Sequence, residues 1–125
     1  MAIHNEIGKI GEDIAAVFLR NKGLEVISRN YRKPYGEIDI VARENNIIRF
    51  VEVKSVSYET DLYKDKGIRP EDNLHPQKMK RLGRVIQAYV ISHETDDWAF
   101  DLLCVYIRTD DKSAKVKWIK DIVLE

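Results

Sequence analysis

Apolar residues near the amino terminus recur every three or four positions, which is the spacing of one face of an amphipathic helix. The pattern predicts a helix over roughly residues 5–22, and Lys22-Gly23 is typical of the end of a helix. The apolar positions of this face are Ile3, Ile7, Ile10, Ile14, Val17 and Phe18.

Three short apolar segments follow the helix and have the length of strands. They run from Leu24 to Tyr31, from Ile38 to Ala42 and from Ile47 to Val56, and the third has the strongest strand character. The turn sequence Lys33-Pro34-Tyr35-Gly36 precedes the second segment, and Glu44-Asn45-Asn46 precedes the third. The pattern therefore predicts three consecutive strands.

The second half of the chain predicts one more helix and one or two more strands. Residues 57–74 are polar and mixed in charge, so we expect a long loop there. Pro76 suits the first turn of a helix that continues to about His93. Residues 98–108 predict a strand, and residues 114–124 predict a last strand or a short tail. This order favours an α/β or α+β sandwich around a mixed sheet. The apolar stripe of the second helix is Met79, Leu82, Ile86, Tyr89 and Val90.

Composition narrows the class of protein. The 125 residues suit one domain, residues 1–125, and the 44% hydrophobic content excludes disorder over most of the chain. Basic and acidic residues number 21 each, which excludes a polycationic nucleic-acid coat protein but leaves room for a local basic surface. The single cysteine, Cys104, excludes a disulfide framework within one chain. Without a secretory signal or a membrane-length apolar run, we expect a cytoplasmic protein with no membrane partner.

Charge is segregated along the chain although it sums to zero. Residues 64–84 hold seven basic and three acidic residues, whereas residues 94–111 hold one basic and six acidic residues. Basic side chains on the second helix lie off its apolar stripe, so they form either a phosphate-tracking surface or an ordinary solvated face. These residues are Lys78, Lys80, Arg81 and Arg84. A second candidate DNA-binding patch, beside the turn before the second strand, is Arg29, Arg32 and Lys33.

Two carboxylates interrupt apolar strands. Asp39 stands between two isoleucines, and Glu52 stands between two valines, with Lys54 two residues further on. Alternation along the strand places Glu52 and Lys54 on the face that begins with Ile48 and Phe50. Buried charges must be paired or bound to a cation, and two carboxylates with waters suit Mg²⁺. Spacing alone favours a cross-strand salt bridge as much as a metal site.

The wider sequence resembles the bacterial YraN family, which in turn is similar to the archaeal Holliday junction resolvases of the PD-(D/E)XK nuclease superfamily. The resemblance implies a restriction-endonuclease-like α/β core with a mixed central sheet flanked by helices. The residues that carry it are Gly11-Glu12, Arg29-Asn30-Tyr31-Arg32, Gly36-Glu37-Ile38-Asp39-Ile40-Val41 and Phe50-Val51-Glu52-Val53-Lys54.

The resemblance also implies roles for four residues. Asp39 and Glu52 would bind Mg²⁺ or Mn²⁺, and Glu12 on the first helix would complete the metal shell. Lys54 would orient or deprotonate the attacking water, or stabilise the charge of the transition state. The implied reaction is metal-dependent hydrolysis of branched or damaged DNA that leaves a 5′-phosphate, and a homodimer would suit a four-way junction.

Two other functions remain open from the sequence. The same fold serves equally as a catalytically weak nucleic-acid-binding or repair-assembly module, or as an interaction domain whose charges form salt bridges. Three further polar residues have structural interpretations. We expect Asp101 to make a buried structural hydrogen bond, Glu37 to belong to the turn before Asp39, and His75 to cap the second helix.

Overall fold

The computed structural model describes residues 2–58 and 74–124, and the predicted loop over residues 57–74 lies almost entirely outside this range. Two helices and five strands occur in the described residues. In chain order they are α1 (Ala2–Asn21), β1 (Glu25–Lys33), β2 (Gly36–Glu44), β3 (Ile47–Tyr58), α2 (Pro76–Ser92), β4 (Trp98–Arg108) and β5 (Ala114–Ile119).

The five strands form one mixed sheet in the order β1-β2-β3-β4-β5. Hairpins make β1, β2 and β3 antiparallel, and β4 and β5 are also antiparallel. Strands β3 and β4 are parallel, and their connection contains α2, as parallel neighbours require a crossover. This confirms the predicted α/β class, and the mixed sheet with flanking helices is compatible with a restriction-endonuclease-like core.

Helix α1 covers one face of the sheet, but the face it buries differs from the predicted stripe. Ala15, Ala16 and Leu19 are fully buried against β2, β3 and β4. Ile10 and Val17, both expected to face the core, are 45% and 52% exposed. Small residues at the contact allow the helix to approach the strands closely, so the alanines occupy the interface and part of the isoleucine stripe turns outward.

Helix α2 covers the opposite face, where Leu82, Val85 and Ile86 pack against Phe50 and Phe100. Because Phe50 lies in this core and its neighbour Val51 lies in the α1 core, β3 alternates between the two faces as predicted.

The amino-terminal end of α2 is fixed as the sequence predicts. His75 has an extended backbone and accepts a hydrogen bond from the amide of Lys78 through Nδ1 at 3.4 Å. Pro76 occupies the first helical turn, where its missing amide hydrogen has no cost. These two residues therefore determine where α2 begins.

Gly11 marks the closest approach of α1 to the sheet. A Cβ atom at Gly11 would lie 1.7 Å from Ser55 Oγ and 2.7 Å from Ser55 Cβ, whereas a Cβ at Gly8 would meet no atom within 4 Å. Only Gly11 is required for close packing, and Gly8 instead lines an open cleft.

Asp101 is a structural residue, as expected. Its carboxylate is fully buried and accepts hydrogen bonds from Arg49 Nη1, at 3.0 and 3.2 Å, and from Trp118 Nε1 and the Asp121 amide at 3.0 Å. Arg49 also donates to Glu44 at 2.9 Å. These contacts join β3, β4 and the segment after β5, so Asp101 has no capacity left for a metal ion.

The ladder between β2 and β3 ends at Ile40 and Val51. The next pair in the same register would be Asp39 and Glu52, but here the strands separate while β3 continues to pair with β4 as far as Tyr58. The two predicted carboxylates therefore lie opposite each other where the sheet opens.

Candidate active site

Two clefts meet where β2 and β3 separate. A smaller one of about 240 Å³ lies on the α2 side and a larger one of about 730 Å³ lies on the α1 side. Asp39, Glu52 and Lys78 line both of them. The two strand carboxylates predicted from the sequence are thus brought together in an accessible cavity.

Asp39 replaces a backbone interaction at the end of the ladder. Its Oδ2 atom accepts a hydrogen bond of 2.8 Å from the amide of Val53, and its carboxyl group lies close to that of Glu52. Burial, followed by the negative charge of Glu52, raises the pKa of Asp39 from 3.8 to about 9. Without a cation, this site therefore favours a proton on Asp39.

Glu52 is buried and has a cationic partner. Its Oε2 atom lies 2.6 Å from Nζ of Lys78, which reaches the site from the first turn of α2. The side chain of Glu52 is 8% exposed and that of Lys78 is 25% exposed. One ammonium group thus offsets the charge of one of the two strand carboxylates.

Glu12 lines the larger cleft but does not complete a set of three carboxylates. Its Oε1 atom accepts hydrogen bonds from Arg29 Nε at 3.2 Å and from Asn30 Nδ2 at 3.0 Å. Within residues 2–58 and 74–124, no three His, Cys, Asp or Glu side chains are grouped closely enough to hold a metal ion. The predicted first-helix ligand is therefore close enough to raise the pKa of Asp39 but is engaged by β1.

Lys54 lines the larger cleft together with Glu12, Asp39 and Glu52. It follows Glu52 by two residues on β3, so the alternation of the strand places the two side chains on the same face. The cavity thus contains all four residues that the resemblance singles out.

Three basic residues of α2, Lys78, Arg81 and Arg84, recur every three positions and so extend from the site along one side of the helix. Lys78 and Arg81 line the smaller cleft, one turn apart. Arg84 lies over the ring of Tyr35, with its guanidinium carbon 4.2 Å from the ring centroid, and Lys80 is exposed. In the described residues 74–84 there are four basic and no acidic side chains, so the predicted positive surface borders the carboxylate cleft.

The second predicted basic patch is largely neutralised. Arg29 pairs with Asp13 at 2.7 Å in addition to Glu12, and these contacts raise the pKa of Arg29. Arg32 pairs with Glu37, its cross-strand neighbour, at 2.8 Å. Lys33 lies over the ring of Tyr31 at 5.6 Å. Glu37 thus finds a partner outside the site, although it also lines the smaller cleft.

The donor atoms present fit a hard divalent cation. Asp39, which is partly exposed, and Glu52, which is buried, offer carboxylate oxygens to the same two clefts, and neither histidine nor cysteine lines these clefts among the described residues. Mg²⁺ and Mn²⁺ prefer oxygen ligands, and Mg²⁺ commonly takes one or two carboxylates and completes its shell with water and phosphate. Two carboxylates without a third are thus a donor set of the kind that Mg²⁺ uses.

Sequence reasoning missed two contacts in this site. Asn30, noted only as part of a motif, adopts a left-handed backbone conformation with φ of 56° and holds Glu12. Lys78 was expected to bind phosphate, but it contacts Glu52 directly. Asparagine is among the few residues that tolerate positive φ, yet nothing in the sequence marks the kink in β1.

The fold and the site define an α/β protein with a restriction-endonuclease-like core, whose sheet opens onto two neighbouring carboxylates with lysines beside them. Glu52 is buried and Asp39 is partly exposed. No helix among residues 2–58 and 74–124 combines the length and the apolar character needed to cross a membrane. The chain belongs to the uncharacterised protein family UPF0102, whose sequence profile matches residues 11–105. This bears out the resemblance to YraN-like proteins.

Relatives in this family match the chain over nearly its whole length. It is 37% identical to the UPF0102 protein FP2501 of Flavobacterium psychrophilum over 122 residues, which cover 97% of this chain and 96% of that protein. It is 35% identical over 118 residues to a UPF0102 protein of Helicobacter hepaticus, covering 94% of each chain. It is 32% identical over 121 residues to the UPF0102 protein CLJ_B2665 of Clostridium botulinum, again covering 94% of each.

Proposed function

We propose that this protein is a divalent-metal-dependent endonuclease that hydrolyses phosphodiester bonds in branched or damaged DNA. The observation that carries the proposal is the meeting of Asp39 and Glu52 at the point where β2 and β3 separate, in a cleft that Lys54 also lines. A salt bridge alone does not require two adjacent carboxyl groups in one cleft. Keeping both of them ionised there is costly without a cation, and a metal ion would remove that cost.

Each residue has a role that its position supports. Asp39 and Glu52 would hold Mg²⁺ or Mn²⁺, and the ion would supply Lewis acidity at the scissile phosphate and lower the pKa of water. Lys54 would orient the attacking water or exchange a proton with it, because it lines the same cleft as the two carboxylates. Glu12, held by Arg29 and Asn30, would shape the negative potential of the site from the α1 side.

The basic side of α2 supports DNA as the substrate. Arg81 borders the same cleft as the carboxylates, and Lys80 and Arg84 continue the positive surface along the helix. Such side chains contact phosphates and bind with little regard to base sequence. The protein would then select branched DNA by the shape of the DNA rather than by its sequence. Paired cuts at a four-way junction would require two copies of the chain.

A cleavage screen tests the function. Four-way junctions, flaps, nicked duplexes and linear duplexes, each with labelled ends, are incubated with the protein in Mg²⁺ or Mn²⁺. We expect cuts in branched substrates that leave 5′-phosphates and that disappear in Asp39→Asn. The matched control is Asp96→Asn, which removes an exposed acid away from the two clefts and should leave cleavage unchanged.

The second candidate is a DNA-binding module without chemistry. It is favoured by one observation: Lys78 pairs with Glu52, and Arg29 with Glu12, so much of the negative charge in the site already has a basic partner. Absence of cleavage in every metal, combined with junction binding that is unaffected by Asp39→Asn, would support this candidate over the nuclease.

A further inference from the structure

Lys78 and Glu52 form an ion pair at the mouth of the carboxylate site. The distance between Nζ and Oε2 is 2.6 Å, and Glu52 is the less exposed partner. Because Asp39 and Glu52 line both clefts together with Lys78, the ammonium group lies where the carboxylates converge. We infer that Lys78 is a built-in counterion that occupies the cation position of this site and that a divalent metal ion must displace it.

The inference rests on the proposed metal site but adds a competition to it. An ammonium group carries one charge and three donors, so it offsets the charge of only one of the two carboxyl groups, that of Glu52. A divalent ion carries twice the charge and binds both carboxylates at once. Metal binding therefore has to include the free energy of breaking the pair between Lys78 and Glu52, which lowers the apparent metal affinity.

The contact differs from the other buried ion pair that the structure describes. Arg49 and Asp101 are both nearly inaccessible and share several hydrogen bonds with neighbouring residues. Lys78 instead is 25% exposed at the rim of two open clefts. Its flexible four-carbon stem can carry the ammonium group into solvent without moving the backbone.

Helix α2 limits where the released ammonium group goes. His75 caps the first turn of α2, Pro76 lies in that turn, and Lys78 projects from it. Arg81, one turn along, lines the smaller cleft on the same side of the helix. The displaced amine would join Arg81 as a phosphate contact, so metal binding would prepare the α2 side of the cleft for DNA.

Two measurements without DNA test the displacement. The first is calorimetric titration of Mn²⁺ into the wild type, Lys78→Met and Lys80→Met. Methionine keeps an unbranched stem without charge, and Lys80 is an exposed lysine on the same helix, so the control makes the same change in net charge. We expect Lys78→Met to bind Mn²⁺ about tenfold more tightly than the wild type, which corresponds to the loss of about 1.4 kcal/mol of competition. Lys80→Met should bind as the wild type does.

The second measurement is the rate at which an amine-acylating reagent labels Lys78, followed by mass spectrometry. The rate should rise on addition of Mg²⁺, because the pair with Glu52 is broken, while that of Lys80 stays constant. If Lys78→Met lowers folding yield, Lys78→Gln provides the same comparison.

The outcomes separate this inference from the proposed function. The inference would be wrong if Lys78→Met bound Mn²⁺ as tightly as the wild type or more weakly. It would also be wrong if Mg²⁺ did not change the labelling rate of Lys78. Neither result would contradict the proposed metal site itself. Equal tightening in Lys80→Met would also overturn the inference, because the effect would then be one of net charge. If Mn²⁺ binds neither the wild type nor Lys78→Met, the proposed metal site is wrong, and Lys78 then has no metal ion to compete with.

Discussion

The carboxylate of Asp39 accepts a hydrogen bond of 2.8 Å from the amide of Val53, one residue beyond Glu52 on the neighbouring strand. The backbone ladder between β2 and β3 has already ended at Ile40 and Val51. A side chain therefore continues the link between the strands while the backbones separate, and this arrangement both opens the cleft and fixes one carboxylate in it.

Removing both strand carboxylates should abolish metal binding and raise stability without metal. In Asp39→Asn/Glu52→Gln the shapes are kept and the repulsion between the carboxyl groups is lost. We expect calorimetry with Mn²⁺ to show no binding. In metal-free buffer at or above about pH 9, where Asp39 loses its proton, we expect thermal unfolding at a higher temperature than in the wild type. Glu37→Gln, an acid that pairs with Arg32, is the control. Unchanged Mn²⁺ affinity in the double variant would contradict the site.

The stability of the metal-free protein should fall as pH rises. Burial and Glu52 raise the pKa of Asp39 from 3.8 to about 9, so the folded state binds this proton more tightly than the unfolded state. Protonated Asp39 therefore contributes fully to the free energy of unfolding below about pH 4, and this contribution is lost as the pH approaches 9. The difference in the free energy of unfolding between wild type and Asp39→Asn, measured by urea denaturation across this range, should shift in favour of Asp39→Asn as pH rises. If the difference in the free energy of unfolding between the wild type and Asp39→Asn did not change with pH, Asp39 would ionise as an exposed aspartate does.

Alanine at Gly11 and alanine at Gly8 should have opposite effects. A Cβ at Gly11 would lie 2.7 Å from Ser55 Cβ, so α1 would have to move from the sheet, at a cost of about 1–3 kcal/mol. Gly8 has open space, and alanine there should stabilise the helix by up to about 1 kcal/mol. Chemical denaturation of the two variants measures both effects. Because the clash includes Cβ of Ser55, adding Ser55→Ala to Gly11→Ala should not restore stability.

The secondary structure was predictable wherever burial leaves a regular pattern. Strand β4, apolar nearly throughout, was predicted at its observed bounds, since a strand covered on both faces contains few polar residues. The sequence predicted the wrong buried face of α1, because Ala15 and Ala16 are only weakly hydrophobic. Their burial is explained by the close approach of the helix to the sheet at Gly11.

In the site, sequence patterns revealed residues but not their partners. Asp39 and Glu52 could be identified because charges in apolar strands are unusual, and a hairpin between them predicts that they meet. The contact between Lys78 and Glu52 joins residues far apart in the chain through the placement of α2, which no local pattern reports. The same holds for Asn30 and Glu12, where a single left-handed residue in β1 orients the side chain.

DNA affinity should depend on the exposed side of α2 rather than on β1. Reversing Lys80, Arg81 and Arg84 to glutamate should weaken binding of a four-way junction and reduce the dependence of affinity on salt, because fewer counterions are released. Reversing Arg32 and Lys33 should have a smaller effect, since Arg32 already pairs with Glu37. Fluorescence anisotropy over a range of salt concentrations compares the two variants. If the salt dependence changes more in the β1 variant, the DNA lies on the other side of the cleft.

Lys54 should affect the chemical step more than binding. It lines the cleft with Asp39 and Glu52 and follows Glu52 on the same strand face, so its amine can reach a water or phosphoryl oxygen held there. An interaction made mainly in the transition state lowers turnover when it is removed and leaves ground-state affinity nearly unchanged. Lys54→Ala should therefore bind Mn²⁺ and branched DNA as the wild type does, and cut about 10²–10⁴ times more slowly in single-turnover assays. Lys54→Arg should not restore cutting, because guanidinium does not release a proton near neutral pH. Weak DNA binding with normal cutting at saturating DNA would instead make Lys54 a phosphate contact.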